Sequence, residues 1–169
     1  MNFKNLIKKK KPIEYIIYWA VLTSVIALDM MTKLLSYSLL SKVDTVPIIK
    51  GVIHFTYVEN RGAAFGMLAD QRWIFITVSI IVSLGMLAYL FLGHADTRLV
   101  GVAMSMIAGG GVSNLIDRLS LGFVVDFIDF RLINFAVFNV ADSCVCIGAG
   151  LLILYLVREI IKEGKKNGA

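Results

Sequence analysis

The sequence predicts an α-helical membrane protein with four transmembrane helices and a small extracytoplasmic β-sheet, here called the cradle, between helices 1 and 2. Hydrophobic residues make up 58% of the 169-residue chain and charged residues only 17%, which is far too apolar for an ordinary soluble domain. A helix crosses the hydrocarbon core with roughly 20 mostly apolar residues. Four such stretches occur, at about 15–35, 73–92, 99–116 and 137–157. We expect residues 1–169 to form a single integral membrane domain.

The first apolar stretch follows a lysine-rich N-terminus. Its length, and the lack of a small-residue cleavage pattern after it, favour a retained helix over a cleaved signal peptide. Basic residues concentrate at both ends of the chain and at Arg98, in the link between helices 2 and 3, so both termini and that link should be cytoplasmic. The net charge of +5 then indicates contact with anionic membrane lipids and no nucleic-acid binding, because no basic patch is interleaved with exposed aromatic residues.

The link between helices 1 and 2 contains the predicted cradle, at about 42–70. Within it, Val52–Asn60 alternates β-branched, aromatic and polar residues as a half-exposed strand does, and Asn60 to Gly62 is typical of a turn. The link between helices 3 and 4 contains a second piece, Leu121–Phe130, that should be extended or irregular. Both links face the extracytoplasmic side in the predicted topology.

Ionisable residues within or against a bilayer are costly, so each one there requires a structural or functional reason. The predicted topology brings helix ends and the two outer links to a similar depth, near the extracytoplasmic boundary. Polar residues from distant parts of the chain should therefore form one cluster. Its members are Asp29, Lys33, Asn60, Asn114, Asp117, Arg118, Asp126, Asp129, Asn139 and Asp142.

Three pairs within this cluster also have purely structural explanations. These pairs are Asn139 with Asp142, Asp117 with Arg118, and Asp29 with Lys33. The first matches a capping pattern at the start of helix 4. The second would form an interfacial ion pair, and the third would neutralise two charges at i,i+4 spacing on one helix face. The residues alone leave these interpretations open beside a functional one.

Carboxylates are the reactive groups that this cluster offers. The two histidines, His54 and His94, fall in the predicted strand and in the cytoplasmic link, so a Ser-His-Asp arrangement or a histidine-rich metal site is poorly supported. Two carboxylates held close in a low-dielectric site share a proton, so that one activates a water molecule while the other protonates the reacting group. Such a pair needs no metal and no cofactor.

Two other classes of protein would use the same residues. Proton- or ion-coupled carriers relay charge through intramembrane acids, although the acids here are predicted at one boundary, and the sequence contains no internal repeat or broken-helix pair. Clustered aspartates also suit Mg²⁺ in a metal-dependent enzyme acting on lipid headgroups. From the residues alone, an acid–base hydrolase, a carrier and a headgroup enzyme all remain open.

Five motifs occur in order along nearly the whole chain: LDMMTK at 28–33, ENRGAAFG at 59–66, GGGVSNLIDR at 109–118, VVDFIDF at 124–130 and FNVADS at 138–143. Together they resemble the lipoprotein signal peptidases, or signal peptidase II, the membrane aspartic peptidases of bacteria. The resemblance implies four transmembrane helices, an extracytoplasmic cradle, and cleavage of diacylglyceryl-modified prolipoproteins just before the lipidated cysteine. It also implies a site near the extracytoplasmic face of the bacterial cytoplasmic membrane, and inhibition by peptide antibiotics of the globomycin type. A monomer suffices for this activity.

Carried over residue by residue, the resemblance assigns the catalytic pair to Asp126 and Asp142. It assigns support of the pair, or binding of substrate and antibiotic, to Asp29, Lys33, Asn60, Gly62, Asn114, Asp117, Arg118 and Asn139. Two positions depart from the family pattern: Ser113, where the family usually has glycine, and Val137, next to the last motif. Ser113 is small enough for close helix packing.

Asp126 and Asp129 lie three residues apart in one motif, so the spacing raises the question of whether they share a site. In an extended segment, side chains three residues apart point to opposite faces. We therefore expect Asp126 to work with Asp142, and Asp129 to face water or to pair with Arg131.

Overall fold

Four long helices and one small sheet form the part of the protein described by the structure, a computed structural model covering residues 11–43, 45–62, 71–93, 95 and 97–167. The helices are α1 (Pro12–Leu40), α2 (Arg72–Phe91), α3 (Arg98–Ser120) and α4 (Val140–Asn167). Each is long and apolar enough to cross a membrane. Their outward side chains are largely apolar and exposed, as a lipid-facing surface requires.

Local sequence signals explain where these helices begin. Proline tolerates the first helical turn, and α1 has Pro12 at that position, earlier than the predicted start at about 15. Thr97 caps α3, since its side chain accepts a hydrogen bond from the Val100 N–H at 3.3 Å. Helix α4 starts at Val140 instead of about 137 because Asn139, directly before it, is its cap.

Helix α3 lies at the centre of the bundle. In its most apolar window 50% of the residues are buried, against 22%, 17% and 11% for α1, α2 and α4. Glycines let α4 approach it closely: a Cβ at Gly110 would lie 2.6 Å from the Ala141 carbonyl oxygen, and one at Gly148 would lie 2.7 Å from the Ala103 carbonyl oxygen. The start of α4 is therefore held directly against α3.

The sheet is three-stranded and antiparallel, and it is built from both outer links. Its strands, in spatial order, are β1 (Val46–Ile49), β2 (Ile53–Asn60) and β3 (Val124–Phe130). The first two lie between α1 and α2, as predicted, whereas β3 comes from the link between α3 and α4. Position 44 and positions 63–70 of the predicted cradle lie outside the described residues.

The strand register brings β3 to the start of α4. Val58 is opposite Asp126 and Asn60 is opposite Val124, so the end of β2 lies beside the beginning of β3. After β3 the chain forms a short 3₁₀ helix and returns, so that Phe138 forms a bridge with Ile128 just before α4 begins. The sheet thus places Asp126 next to the N-terminal end of α4.

Candidate active site

The start of α4 places Asp142 through a reciprocal cap. The Asn139 Oδ1 accepts a hydrogen bond from the Asp142 N–H at 2.9 Å, and the Asp142 Oδ2 accepts one from the Asn139 N–H at 3.2 Å. The capping prediction for this pair is confirmed. The cap also fixes the orientation of the Asp142 carboxylate, whose Oδ1 accepts a hydrogen bond from the Asn114 Nδ2 at 2.8 Å.

Strand β3 contributes the second acid, Asp126, which is almost completely buried. Its Oδ1 accepts a hydrogen bond from the Asn139 Nδ2 at 2.7 Å, and its Oδ2 accepts one from the Asn60 Nδ2 at 2.9 Å. The Gly62 N–H donates to the Asn60 Oδ1 at 3.0 Å and so fixes which end of the Asn60 amide faces the acid. Asn139 therefore bonds to both Asp126 and Asp142 and links the two carboxylates directly.

Burial raises the pKa of Asp126 to about 7, and the nearby Asp142 carboxylate adds to the rise. The amide hydrogen bonds from Asn60 and Asn139, and the more distant charge of Lys33, offset part of this effect. Asp126 can thus exchange its proton near neutral pH. A carboxyl group in that state can either accept or donate a proton.

A buried lysine holds the other two acids of the cluster. The Lys33 Nζ lies 2.7 Å from the Asp29 Oδ2 and 2.9 Å from the Asp117 Oδ2, and it donates to the Asn114 Oδ1 at 2.7 Å. The predicted pairing of Asp29 with Lys33 is confirmed. For Asp117 the sequence left open an ion pair with its neighbour Arg118. The Asp117 Oδ2 instead pairs with Lys33 of α1 and accepts a hydrogen bond from the Val125 N–H at 3.2 Å.

Arg118 lines a cavity of about 370 Å³ that both catalytic candidates also face. Its guanidinium lies over the Phe75 ring, 5.3 Å from the centroid, and makes a long hydrogen bond of 3.4 Å to the Asn114 carbonyl oxygen. Further lining residues are Asn60, Gly62, Phe135, Ala136, Val137, Phe138, Ser143 and Cys146. The cavity therefore combines two acids and a cation with an apolar wall. Within the described residues no group of three or more His, Cys, Asp or Glu side chains is arranged to hold a metal ion.

Asp129 lies on the opposite face of β3 and is bound differently. Its Oδ2 accepts hydrogen bonds from the Arg131 Nε at 2.7 Å and from the Thr56 Oγ1 at 2.8 Å. Burial opposes ionisation of this carboxyl group, but the two bonds and the positive charge of Arg131 outweigh burial and hold the pKa of Asp129 below its ordinary value. The predicted pairing with Arg131 is confirmed, and Asp129 is separate from the cavity.

Comparison with known proteins decides the family. A family model described as signal peptidase (SPase) II matches residues 21–158. The chain belongs to the signal peptidase II family.

Related sequences cover most of the chain. The lipoprotein signal peptidase of Halothermothrix orenii is 47% identical over 144 residues, which are 83% of this chain and 95% of the relative. That of Brevibacillus brevis is 42% identical over 151 residues, which are 89% of this chain and 98% of the relative. A solved bacterial membrane enzyme, determined by the in meso method at 2.3 Å resolution, has a TM-score of 0.78 at 30% identity, over 85% of this chain and 88% of that chain.

Membership of the signal peptidase II family makes the chain a protease, and together with the four apolar helices it makes the chain a bacterial multi-pass membrane protein. The similarity to the solved structure confirms the predicted fold class. The residues predicted from the family motifs are brought together around the cavity or in the Lys33 network that supports it.

One contact of the signal peptidase II site was not anticipated from the sequence. Ser113, which the sequence suggests only as a small packing residue, donates its hydroxyl hydrogen bond to the Asp29 Oδ2 at 2.7 Å. The sequence offered one chemical signal for this contact: a hydroxyl directly precedes Asn114 in the third motif. Its partner on α1 is 84 residues away and is not evident from local spacing.

Proposed function

We propose that this chain removes the signal peptide from diacylglyceryl-modified prolipoproteins, cleaving just before the lipidated cysteine, with Asp126 and Asp142 as the catalytic pair. One observation carries the assignment of the pair: Asn139 bonds to both carboxylates, and both line the same cavity. The names of the related proteins, lipoprotein signal peptidases, support the substrate class.

In the proposed mechanism the two acids share one proton. The ionised carboxylate removes a proton from a water molecule as the water oxygen bonds to the scissile carbonyl carbon. The protonated carboxyl group donates its proton to the carbonyl oxygen. Collapse of this tetrahedral intermediate breaks the C–N bond, and a proton passes to the nitrogen of the lipidated cysteine.

Polar neighbours have supporting roles in this proposal. Asn60, Asn114 and Asn139 orient the two carboxylates by donating amide hydrogen bonds. Arg118, whose guanidinium faces the cavity, meets the substrate backbone. The chemistry uses no cofactor and no metal ion, because the two acids supply both proton-transfer functions.

We further propose that both termini are cytoplasmic and that the cavity opens near the extracytoplasmic face. Membrane lipids and the acyl chains of the substrate would meet the exposed apolar side chains of the helices, and the apolar segment from Phe135 to Phe138 would line the entry. Peptide antibiotics of the globomycin type would compete for the same cavity. The chain acts as a monomer, since both acids come from one copy.

The test is cleavage of a lipidated precursor by purified protein in lipid. Asp126→Asn and Asp142→Asn should each lower the rate by at least about 1,000-fold, because each removes a proton-transfer group. Asp129→Asn is the matched control: it changes an acid on the same strand, and its cleavage rate should stay within about threefold of the wild-type rate. Normal processing by either of the first two variants would exclude the proposed pair.

A further inference from the structure

Asp29 is completely buried, and each of its carboxylate oxygens has defined donors. The Oδ1 accepts a hydrogen bond from the Ala141 N–H at 2.7 Å, in the first turn of α4. The Oδ2 accepts one from the Ser113 hydroxyl at 2.7 Å and lies 2.7 Å from the Lys33 Nζ. A buried carboxylate requires such partners, since any oxygen left without a donor carries a desolvation penalty.

Lys33 is the cation that the structure places against both Asp29 and Asp117. Its third bond, to the Asn114 Oδ1, connects it to the catalytic candidates. The Ser113 hydroxyl gives Asp29 a donor that is not Lys33. Lys33 can therefore be shared with Asp117 and Asn114 instead of being drawn towards Asp29 alone.

Two short routes join Ser113 to Asp142. In the first, Asp29 fixes the N–H of Ala141, the residue directly before Asp142. In the second, Lys33 fixes the Oδ1 of Asn114, which leaves the Nδ2 of the same amide pointing at the Asp142 Oδ1, 2.8 Å away. Both routes pass through buried groups that have little freedom to compensate for a lost donor.

We propose that Ser113 is a positioning residue for Asp142, acting through Asp29 and Lys33 without touching the substrate. This inference rests on the proposed function of Asp126 and Asp142. It assigns the Ser113 hydroxyl a role beyond close packing. The hydroxyl donor helps to hold the start of α4 and the Asn114 amide together.

The chain offers a matched control for this role. Ser105 is on the same helix as Ser113, and both are completely buried. The Ser105 hydroxyl donates at 2.8 Å to the carbonyl oxygen of Gly101, within its own helix. Removing either hydroxyl deletes one buried hydrogen bond, but only the Ser113 bond leads to the acids.

The experiment compares Ser113→Ala, Ser113→Gly and Ser105→Ala in the lipidated-precursor assay, with kcat, KM, the pH profile of kcat and thermal unfolding measured for each. Both Ser113 variants should lower kcat about 10-fold with KM within about twofold, a typical effect of losing one charge-assisted bond in a buried network. Ser105→Ala should leave kcat within about twofold. Ser113→Gly removes the Cβ together with the hydroxyl, so an effect on kcat that both Ser113 variants share follows from loss of the hydroxyl.

The pH profile separates positioning from a general loss of stability. Without the hydroxyl, Lys33 is drawn towards Asp29 and stabilises the ionised form of Asp126 less. The other two charged groups near Asp126, Asp142 and Arg118, stay in place. The acidic limb of the kcat profile should therefore move to higher pH by about half a unit in the Ser113 variants only. Unchanged kcat and pH profile in both Ser113 variants, or equal effects of Ser105→Ala, would overturn the proposal. A failure of the proposed function would give a different result: the Asp126→Asn variant would still cleave the precursor.

Discussion

Asp126 and Asp129 lie on the same strand, three residues apart, yet their surroundings are opposite. Asp126 accepts hydrogen bonds from two neutral amides and lies beside a second acid. Asp129 accepts from a guanidinium and a hydroxyl. The same residue type in the same strand therefore has a pKa of about 7 on one face and a lowered pKa on the other.

The difference shows what a reactive carboxyl group requires in this fold. A cation in direct contact, such as Arg131 beside Asp129, stabilises the ionised carboxylate, and the acid then has a structural role. Neutral amides hold an acid in place while leaving its proton exchangeable near neutral pH. Asp29 and Asp117 also have a cation in direct contact, since the Lys33 Nζ lies within ion-pair distance of both.

The strongest test of this contrast removes the amide that joins the two acids. Asn139→Ala should lower kcat about 100-fold, because Asp126 loses an amide donor and the Asp142 N–H loses the side-chain oxygen that accepts from it. Loss of this helix cap should also cost about 1 kcal/mol of stability. Asn139→Ser keeps a capping oxygen but is too short to replace the amide donor to Asp126. The Asn139→Ser variant should therefore regain the lost stability while its kcat stays low. If stability and kcat recovered together, capping would be the main role of Asn139.

The pH dependence of stability should have opposite signs for the two acids of β3. The pKa of Asp126 is raised in the folded state, so folding binds a proton and stability falls as pH rises from about 4 to about 7. Asp126→Asn should therefore be more stable than wild type at pH 8, with the gain vanishing towards pH 4. Chemical denaturation in detergent at several pH values measures this difference.

Asp129→Asn is the counterpart in the same measurement. The pKa of Asp129 is lowered, so its contribution to stability is present above its unfolded pKa and is lost as pH falls through the folded value. This variant should be less stable than wild type at pH 7, and the difference should shrink below about pH 4. If the stability difference from wild type changed with pH in the same direction for Asp126→Asn and Asp129→Asn, the two faces of β3 would not differ as described.

The smallest expected effect comes from Thr56, a neutral donor to Asp129. Thr56→Val keeps the shape of the side chain and deletes the hydroxyl, so it should cost about 1 kcal/mol of stability with activity within about twofold. Thr32→Val is the control, since the Thr32 hydroxyl bonds only to carbonyl oxygens of its own helix. A large loss of activity in Thr56→Val would show that the outer face of β3 also serves catalysis.

Much of this site could be predicted because its signals are local or belong to motifs. Apolar length predicts the four helices, the Asn139 to Asp142 spacing predicts the cap, and alternation along β3 predicts that Asp126 and Asp129 point to opposite faces. Partners that meet only through packing could not be found in this way. Asp117 bonds to Lys33 on α1 although Arg118 is its neighbour, and this choice depends on how the helices pack.

The third strand illustrates the same limit. Local pattern indicates an extended or irregular segment at Leu121–Phe130, but its pairing with β2 joins residues more than sixty positions apart. Ser113 is similar, because its size explains its packing while its hydrogen bond requires Asp29 on another helix.

The contact between Asp29 and the Ala141 N–H spans 112 residues and has a consequence for biosynthesis. Asp29 emerges from the ribosome with the first helix, but the donors and acids that complete the site come from β3 and the beginning of the fourth. Until that last segment has entered the membrane and docked against α3, the two carboxylates have no common partner. With Asp126 and Asp142 as the proposed catalytic pair, we therefore expect every shorter nascent chain to lack peptidase activity, which should begin only when membrane insertion is nearly finished.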